Sequence, residues 1–316
     1  MKDPARYPTP TYRDPGDRRM VQIIKKASRP APKAVNILGV PYDGAVLGRK
    51  GAAGGPRAIR ESMGSFSNFS VELGLGLESA RVFDLGDMVL GGLDVTSAHE
   101  DIEEEVGRDM APSSLLVVLG GDNSISLPAL RASGKKCGAL GLIIVDSHFD
   151  LRGKIGGKPT SGSSYGLAIE TVRTLDPGRV VEIGTHGFLN SKGYADKAKR
   201  LGVKVITAEE VRIRGALPVA REAYDVASAG ADFVYLSVDL DAVDLSQVSG
   251  VSAPSVGGIS AQELSTIAYE MAKKQAVKAA DLVELAPSLD PTGRSQRVAA
   301  TVLMSLIAGF NSRTSG

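Results

Sequence analysis

The chain predicts an α/β protein, a mostly parallel sheet between two layers of helices, on three observations. From residue 34 onward short apolar runs alternate with amphipathic stretches, several runs are apolar without interruption, and unusual polar residues stand where runs stop. Such alternation builds strand–helix–strand units. Uninterrupted runs suit strands covered on both faces. In open sheets of this kind ligands sit beyond the carboxyl ends of the strands, so the chemistry is sought at the run ends.

Residues 1–33 carry six prolines and many charges and are expected to form an N-terminal arm, solvated or lying against a subunit. Residues 34–316 read as a single α/β domain without repeat or linker. Runs at 34–40, 80–85, 114–119, 138–145, 179–183, 203–207, 232–238 and 277–285 predict strands. Amphipathic spacing predicts helices over 98–110, 191–201, 218–229, 261–274 and 294–308. The apolar stretch 298–310 fits a buried C-terminal helix and is too short for a membrane span.

The 316 residues are 43% hydrophobic and 23% charged, enough apolar content for a sizeable core. Lys plus Arg number 37 against 36 Asp plus Glu, which argues against a partner held by a basic face such as nucleic acid. A single cysteine, Cys137, excludes an intramolecular disulfide and any multi-cysteine metal site. With no apolar N-terminal segment and no membrane-length run, a cytoplasmic protein with no membrane partner is expected. Two glycine-rich stretches are set aside: 44–51 lacks phosphate-loop spacing, and Gly74-Leu75-Gly76 is too short for a dinucleotide fingerprint.

Three run ends stand out: Gly120-Gly121-Asp122-Asn123-Ser124, Asp146-Ser147-His148-Phe149-Asp150, and Ser237-Val238-Asp239-Leu240-Asp241 with Asp244 close behind. In extended backbone, residues at i, i+2 and i+4 point to one side, which aligns Asp146, His148 and Asp150, and likewise Asp239 with Asp241. Either motif alone is equally met by turn-capping carboxylates and a satisfied buried histidine. Four carboxylates converging at one sheet edge repel one another unless a cation neutralises them. Mostly oxygen donors with one nitrogen suit Mn²⁺, with Ni²⁺ and Co²⁺ as further candidates. Two such ions about 3.5–4 Å apart lower the pKa of a shared water toward neutrality.

These residues resemble the ureohydrolase superfamily of arginase, agmatinase and formimidoylglutamase. Its signatures GGDHS, DAHxD and SxDxDxxD are similar to GGDNS, DSHFD and SVDLDAVD here, in the same order. The segment from Val283 to Asp290 looks like the family's closing E-x-x-P-x-x-D element. The resemblance, running from about residue 35 to 310, implies a three-layer arginase-like sheet of about eight strands and a homo-oligomer, trimer or hexamer. It also implies a binuclear manganese centre that hydrolyses a C–N bond of a small amidine or guanidine. By motif position the metal ligands are Asn123, Asp146, His148, Asp150, Asp239 and Asp241, and Glu284 binds the cationic amidine.

Two departures from the family pattern are present. Asn123 replaces the usual ligating histidine, and a neutral amide oxygen is the weaker donor, so one ion is expected to bind loosely. Ser161, in Thr160-Ser161-Gly162-Ser163-Ser164-Tyr165, replaces the histidine of the agmatinase segment H-G-T-P-F, which leaves proton transfer to Asp150 or a metal-associated water. The early segment from Leu47 to Arg60 is similar to the GRxGAxxGPxxIR of formimidoylglutamases, and residues 245–259 lack the APGTG of agmatinases. The resemblance therefore implies hydrolysis of N-formimidoyl-L-glutamate to L-glutamate and formamide. A guanidino-compound hydrolase releasing urea and a degenerate relative without turnover are the alternatives. A dicarboxylate substrate asks for cations, for which Arg49 is the first candidate and Arg152, Lys154 and Lys158 follow. Ser161 and His186 are further candidates for lining the pocket. His99 is placed on a surface helix.

Overall fold

The computed structural model describes residues 2–8, 14 and 16–313. The strands in chain order are β1 (Lys2–Asp3), β2 (Lys25–Lys26), β3 (Val35–Val40), β4 (Phe69–Ser70), β5 (Leu75–Gly76), β6 (Val82–Met88), β7 (Leu115–Gly120), β8 (Leu140–Val145), β9 (Leu175–Thr185), β10 (Lys204–Thr207), β11 (Phe233–Asp239) and β12 (Val277–Val283). The helices are α1 (Gly55–Ser62), α2 (Val95–Asp109), α3 (Ser126–Gly134), α4 (Ser164–Thr171), α5 (Lys192–Leu201), α6 (Ala208–Arg214), α7 (Ala216–Ala227), α8 (Ala261–Ala272) and α9 (Arg294–Asn311). Apart from the β4–β5 hairpin the strands form one sheet, ordered β1-β6-β3-β7-β12-β11-β8-β9-β10, with β2 also on β6. All its pairings are parallel except that of β1.

The eight predicted runs are the eight long parallel strands. Every residue of β3, β7, β8 and β11 is buried, as uninterrupted apolar runs require of strands covered on both faces. Helices α1, α6, α7, α8 and α9 pack on one face of the sheet, and α2, α3, α4 and α5 on the other, each over its own apolar cluster. Sequence signals stop the helices: Asp94 accepts from Thr96 and Ser97 N–H to cap α2, and Gly202 at φ 82° ends α5.

The N-terminal segment adds the two short strands. β1 lies antiparallel to β6, with Lys2 opposite Met88, and the Tyr7 hydroxyl donates to Asp84. Asp84 is also gripped by the fully buried Arg60, at 2.7 and 2.9 Å, and Arg60 reaches Asp87 at 2.5 Å.

The site is positioned by register. β7, β12, β11 and β8 are consecutive in the sheet, and Leu119 pairs with Leu282, Asp239 with Val283, and Val145 with Val238. The GGDN, Glu284, SVDLD and DSHFD segments therefore emerge side by side at one edge.

Candidate metal centre

Each ligand candidate follows directly from a strand end. After β7 the chain must pass beside residues 41–42, where a Cβ on Gly121 would lie 1.8 Å from Tyr42 O, so only glycine allows this approach. Asp122 then accepts from Ala45 N–H and Ser124 N–H, which fixes the turn that presents Asn123. After β8, Asp146 Oδ1 accepts from His148 N–H at 2.7 Å. After β11, Asp239 Oδ1 accepts from Asp241 N–H at 2.9 Å.

Oxygens of Asp146 and Asp241 and a ring nitrogen of His148 lie within 4.8 Å of one another. His148 Nδ1 is 3.0 Å from Asp241 Oδ2 and 3.5 Å from Asp146 Oδ1. The Asn123 amide nitrogen lies 2.6 Å from Asp150 Oδ2 and 3.4 Å from Asp146 Oδ2. Asp150 and Glu284 both adopt left-handed backbone conformations, at φ 44° and 69°. For non-glycine residues this conformation is uncommon and costs free energy that the surroundings must hold in place.

Electrostatics show what this cluster lacks. Burial and then the Asp241 charge push the Asp146 carboxyl up to about 7. Burial, followed by neighbouring carboxylates, holds Asp150 and Asp239 well above the usual range. Burial alone would depress the His148 imidazole, yet Asp241 and Asp146 drive it up to about 12. The protein supplies oxygen donors and one imidazole but too little positive charge, and a divalent cation fits that donor set.

Glu284 closes one side. Oε1 accepts from Asn123 N–H at 2.7 Å, while Oε2 is buried with no hydrogen bond formed among the described residues, the Ser252 side chain lying near the carboxylate. Burial, then Asp122, raises this carboxyl to about 8.

The other candidates are less central. Ser161 is buried and stitches two loops, its Oγ accepting from Leu47 N–H at 3.0 Å and its N–H donating to Ala45 O at 2.9 Å. Arg49 donates to Val251 O at 2.6 Å and Ser249 O at 3.0 Å, so its guanidinium anchors the 249–252 loop. Arg152, Lys154 and Lys158 are exposed on the segment that leaves Asp150. His186 contacts Ser255 Oγ at 2.5 Å and Gly184 O at 2.7 Å, beside a cavity of about 490 Å³ that Phe149 also lines.

His99 corrects an expectation. It lies on the buried face of α2, 4% exposed, with Nε2 3.2 Å from Ser124 Oγ and its ring edge-on to Tyr42. The helix turns its apolar stripe of Val95, Ala98, Ile102 and Val106 inward and carries His99 with Ala98. Sequence reasoning also passed over Ser126, Tyr165, Ser237 and Asp281, all buried directly behind Asn123. The available signal was a polar residue at every second position of Tyr235-Leu236-Ser237-Val238-Asp239.

Among known proteins, residues 33–309 match the model of the arginase family. The formimidoylglutamase of Halobacterium salinarum is 36% identical over 95% of this chain and 97% of its own. The crystal structure of formimidoylglutamase from Bacillus subtilis superposes with a TM-score of 0.89 at 28% identity, covering 96% of this chain and 95% of that one. Trypanosoma cruzi formiminoglutamase, described with Mn²⁺, gives 0.86 at 29% identity over 94% of this chain and 99% of its own. With three motif-bearing strand ends meeting at one sheet edge and a match spanning nearly the whole fold, this chain belongs to the arginase family.

Proposed function

We propose that the chain is a manganese-dependent hydrolase that converts N-formimidoyl-L-glutamate to L-glutamate and formamide. Glu284 carries the reading: a buried carboxylate beside the aspartate cluster with one oxygen held by Asn123 N–H and the other forming no hydrogen bond among the described residues. Such an oxygen is costly until a donor arrives, and an amidinium N–H brings both the hydrogen and the matching charge. The formimidoylglutamases among its relatives support this choice of substrate.

Asn123, Asp146, His148, Asp150, Asp239 and Asp241 would hold two Mn²⁺ ions, the one on Asn123 less tightly. When bound, the ions supply Lewis acidity and lower the pKa of the attacking water. Glu284 binds and orients the amidine. The water oxygen bonds to the formimidoyl carbon, the bond from that carbon to the glutamate nitrogen breaks, and a proton ends on the leaving amine. Asp150 carries that proton in place of the histidine that Ser161 replaces. Arg49, through its loop, and the basic segment at Arg152, Lys154 and Lys158 favour the substrate carboxylates, with Ser161 and His186 at the margins of the pocket. On the same reading the protein is a cytoplasmic trimer or hexamer.

The test is a panel on Mn²⁺-loaded protein. Glutamate release from formimidoylglutamate without urea release from agmatine or 4-guanidinobutyrate is the expected outcome. Urea release alone would make it a guanidino-compound hydrolase, and no turnover a degenerate relative. Glu284→Gln is expected to lower kcat/KM by about 10–100-fold with Mn²⁺ content unchanged, the loss of one charge-assisted hydrogen bond. Arg49→Ala is expected to harm the dicarboxylate more than agmatine, and equal losses reject its role.

A further inference from the structure

Behind Asn123 runs a buried chain of hydroxyls ending on a carboxylate. Asn123 Oδ1 lies 2.9 Å from Ser126 Oγ and 3.1 Å from the Tyr165 hydroxyl. The Tyr165 oxygen is 3.0 Å from Ser237 Oγ, which donates to Asp281 Oδ1 at 2.7 Å. Asp281 also accepts from the Tyr235 hydroxyl at 2.9 Å and from Val238 N–H at 3.2 Å. Asp281, Ser237, Tyr165 and Ser126 are all fully buried and closed off from bulk solvent, so they bond chiefly to one another.

Each hydroxyl has one hydrogen to give. With the amide oxygen toward the hydroxyls, Tyr165 spends its hydrogen on Asn123 and Ser237 spends its own on Asp281. The 3.0 Å contact between Tyr165 and Ser237 then holds two oxygens and no hydrogen. A protonated Asp281 would supply one, but both its oxygens already accept, Oδ1 from Ser237 and Val238 N–H and Oδ2 from Tyr235, and burial raises it only to about 6, which leaves it ionised at neutral pH. Turning the amide by 180° removes the deficit. The nitrogen gives its two hydrogens to Ser126 and Tyr165, Tyr165 gives to Ser237, and Ser237 gives to Asp281. The same turn sets the amide oxygen against the Asp150 and Asp146 carboxylates, which is favourable only with a shared cation.

We infer that Tyr165 and Ser237, anchored on Asp281, are positioning residues that hold the Asn123 amide oxygen toward the metal. This rests on the metal-hydrolase reading above. It gives a neutral amide the fixed orientation that a ligating imidazole ordinarily takes from its own outer hydrogen bond.

The experiment titrates the metal-stripped full chain with Mn²⁺ and counts ions and their dissociation constants by calorimetry and elemental analysis. Its variants are Tyr165→Phe, Ser237→Ala, and each of these with Asn123→Asp. The wild type is expected to bind two ions. Either single variant is expected to keep the tighter ion and weaken the looser one about 10–100-fold, the usual effect of losing an outer-shell partner. With Asn123→Asp both ends of the side chain are oxygens and nothing needs orienting, so the added substitutions are expected to cost less than about threefold. Wild-type affinity in both single variants overturns the inference, as does an equal loss in the Asn123→Asp background. A wild-type chain that binds no Mn²⁺ overturns the metal-hydrolase reading and this inference together, whereas two-ion binding unaffected by the variants overturns the inference alone.

Discussion

At the scale of single residues, His99 shows how position sets chemistry. Burial, and then the charge of Arg131, pulls its imidazole down to about 4. It is therefore neutral in the folded protein and takes up a proton near its ordinary value once unfolded. Between about 6.5 and 4 the unfolded chain binds the extra proton, so stability falls as pH drops through that window, by roughly 3 kcal/mol from this group. Denaturant midpoints at pH 7.5 and 4.5 are expected to converge in His99→Leu relative to the parent, and identical acid losses would reject the assignment. The aspartate and histidine candidates were legible in sequence because each motif is local and sits at a strand end. Asp146, His148 and Asp150 nevertheless lie past the end of β8 and Asp241 in the turn after β11, not in the extended backbone expected. The hydroxyls behind Asn123 were not legible. Ser126 and Ser237 meet across 111 residues of chain, and spacing does not register a contact of that range.

At the scale of elements, β3, β7, β8 and β11 were legible because burial on both faces demands unbroken apolar runs, and β6, β9, β10 and β12 showed in shorter or interrupted apolar stretches. Four helices were not legible. α3, with Pro128 near its start, is buried on nearly every side and has no polar stripe to reveal its period, and α1, α4 and α6 span only seven or eight residues. The short strands β1 and β2 carry almost no pattern at two residues each, and side chains hold this region: Tyr7 and Arg60 both bind Asp84. Removing Arg60 leaves Asp84 buried without its cation. Arg60→Met is expected to cost about 3–5 kcal/mol, against about 1 kcal/mol for Tyr7→Phe, by urea unfolding. Equal costs would mean that water reaches Asp84.

At the scale of the molecule, the sheet edge concentrates repulsion that the fold alone does not relieve. Burial and mutual charge hold Asp146, Asp150 and Asp239 above their usual range, so a bound ion stabilises the whole chain. Saturation at 100 times the dissociation constant is expected to add about 2.7 kcal/mol per ion, read as a rise in Tm with Mn²⁺ over EDTA. An unchanged Tm would mean that protons, not metal, neutralise the cluster. The strand order carries a consequence for biosynthesis. Among the described residues β12 is the last strand in chain order, yet it lies between β7 and β11, two of the three strands that bear the proposed ligands. A nascent chain that has emerged through residue 241 already contains every proposed ligand but keeps open the gap that β12 must fill, with two apolar strand borders bare. Premature termination in that interval yields a polypeptide prone to self-association.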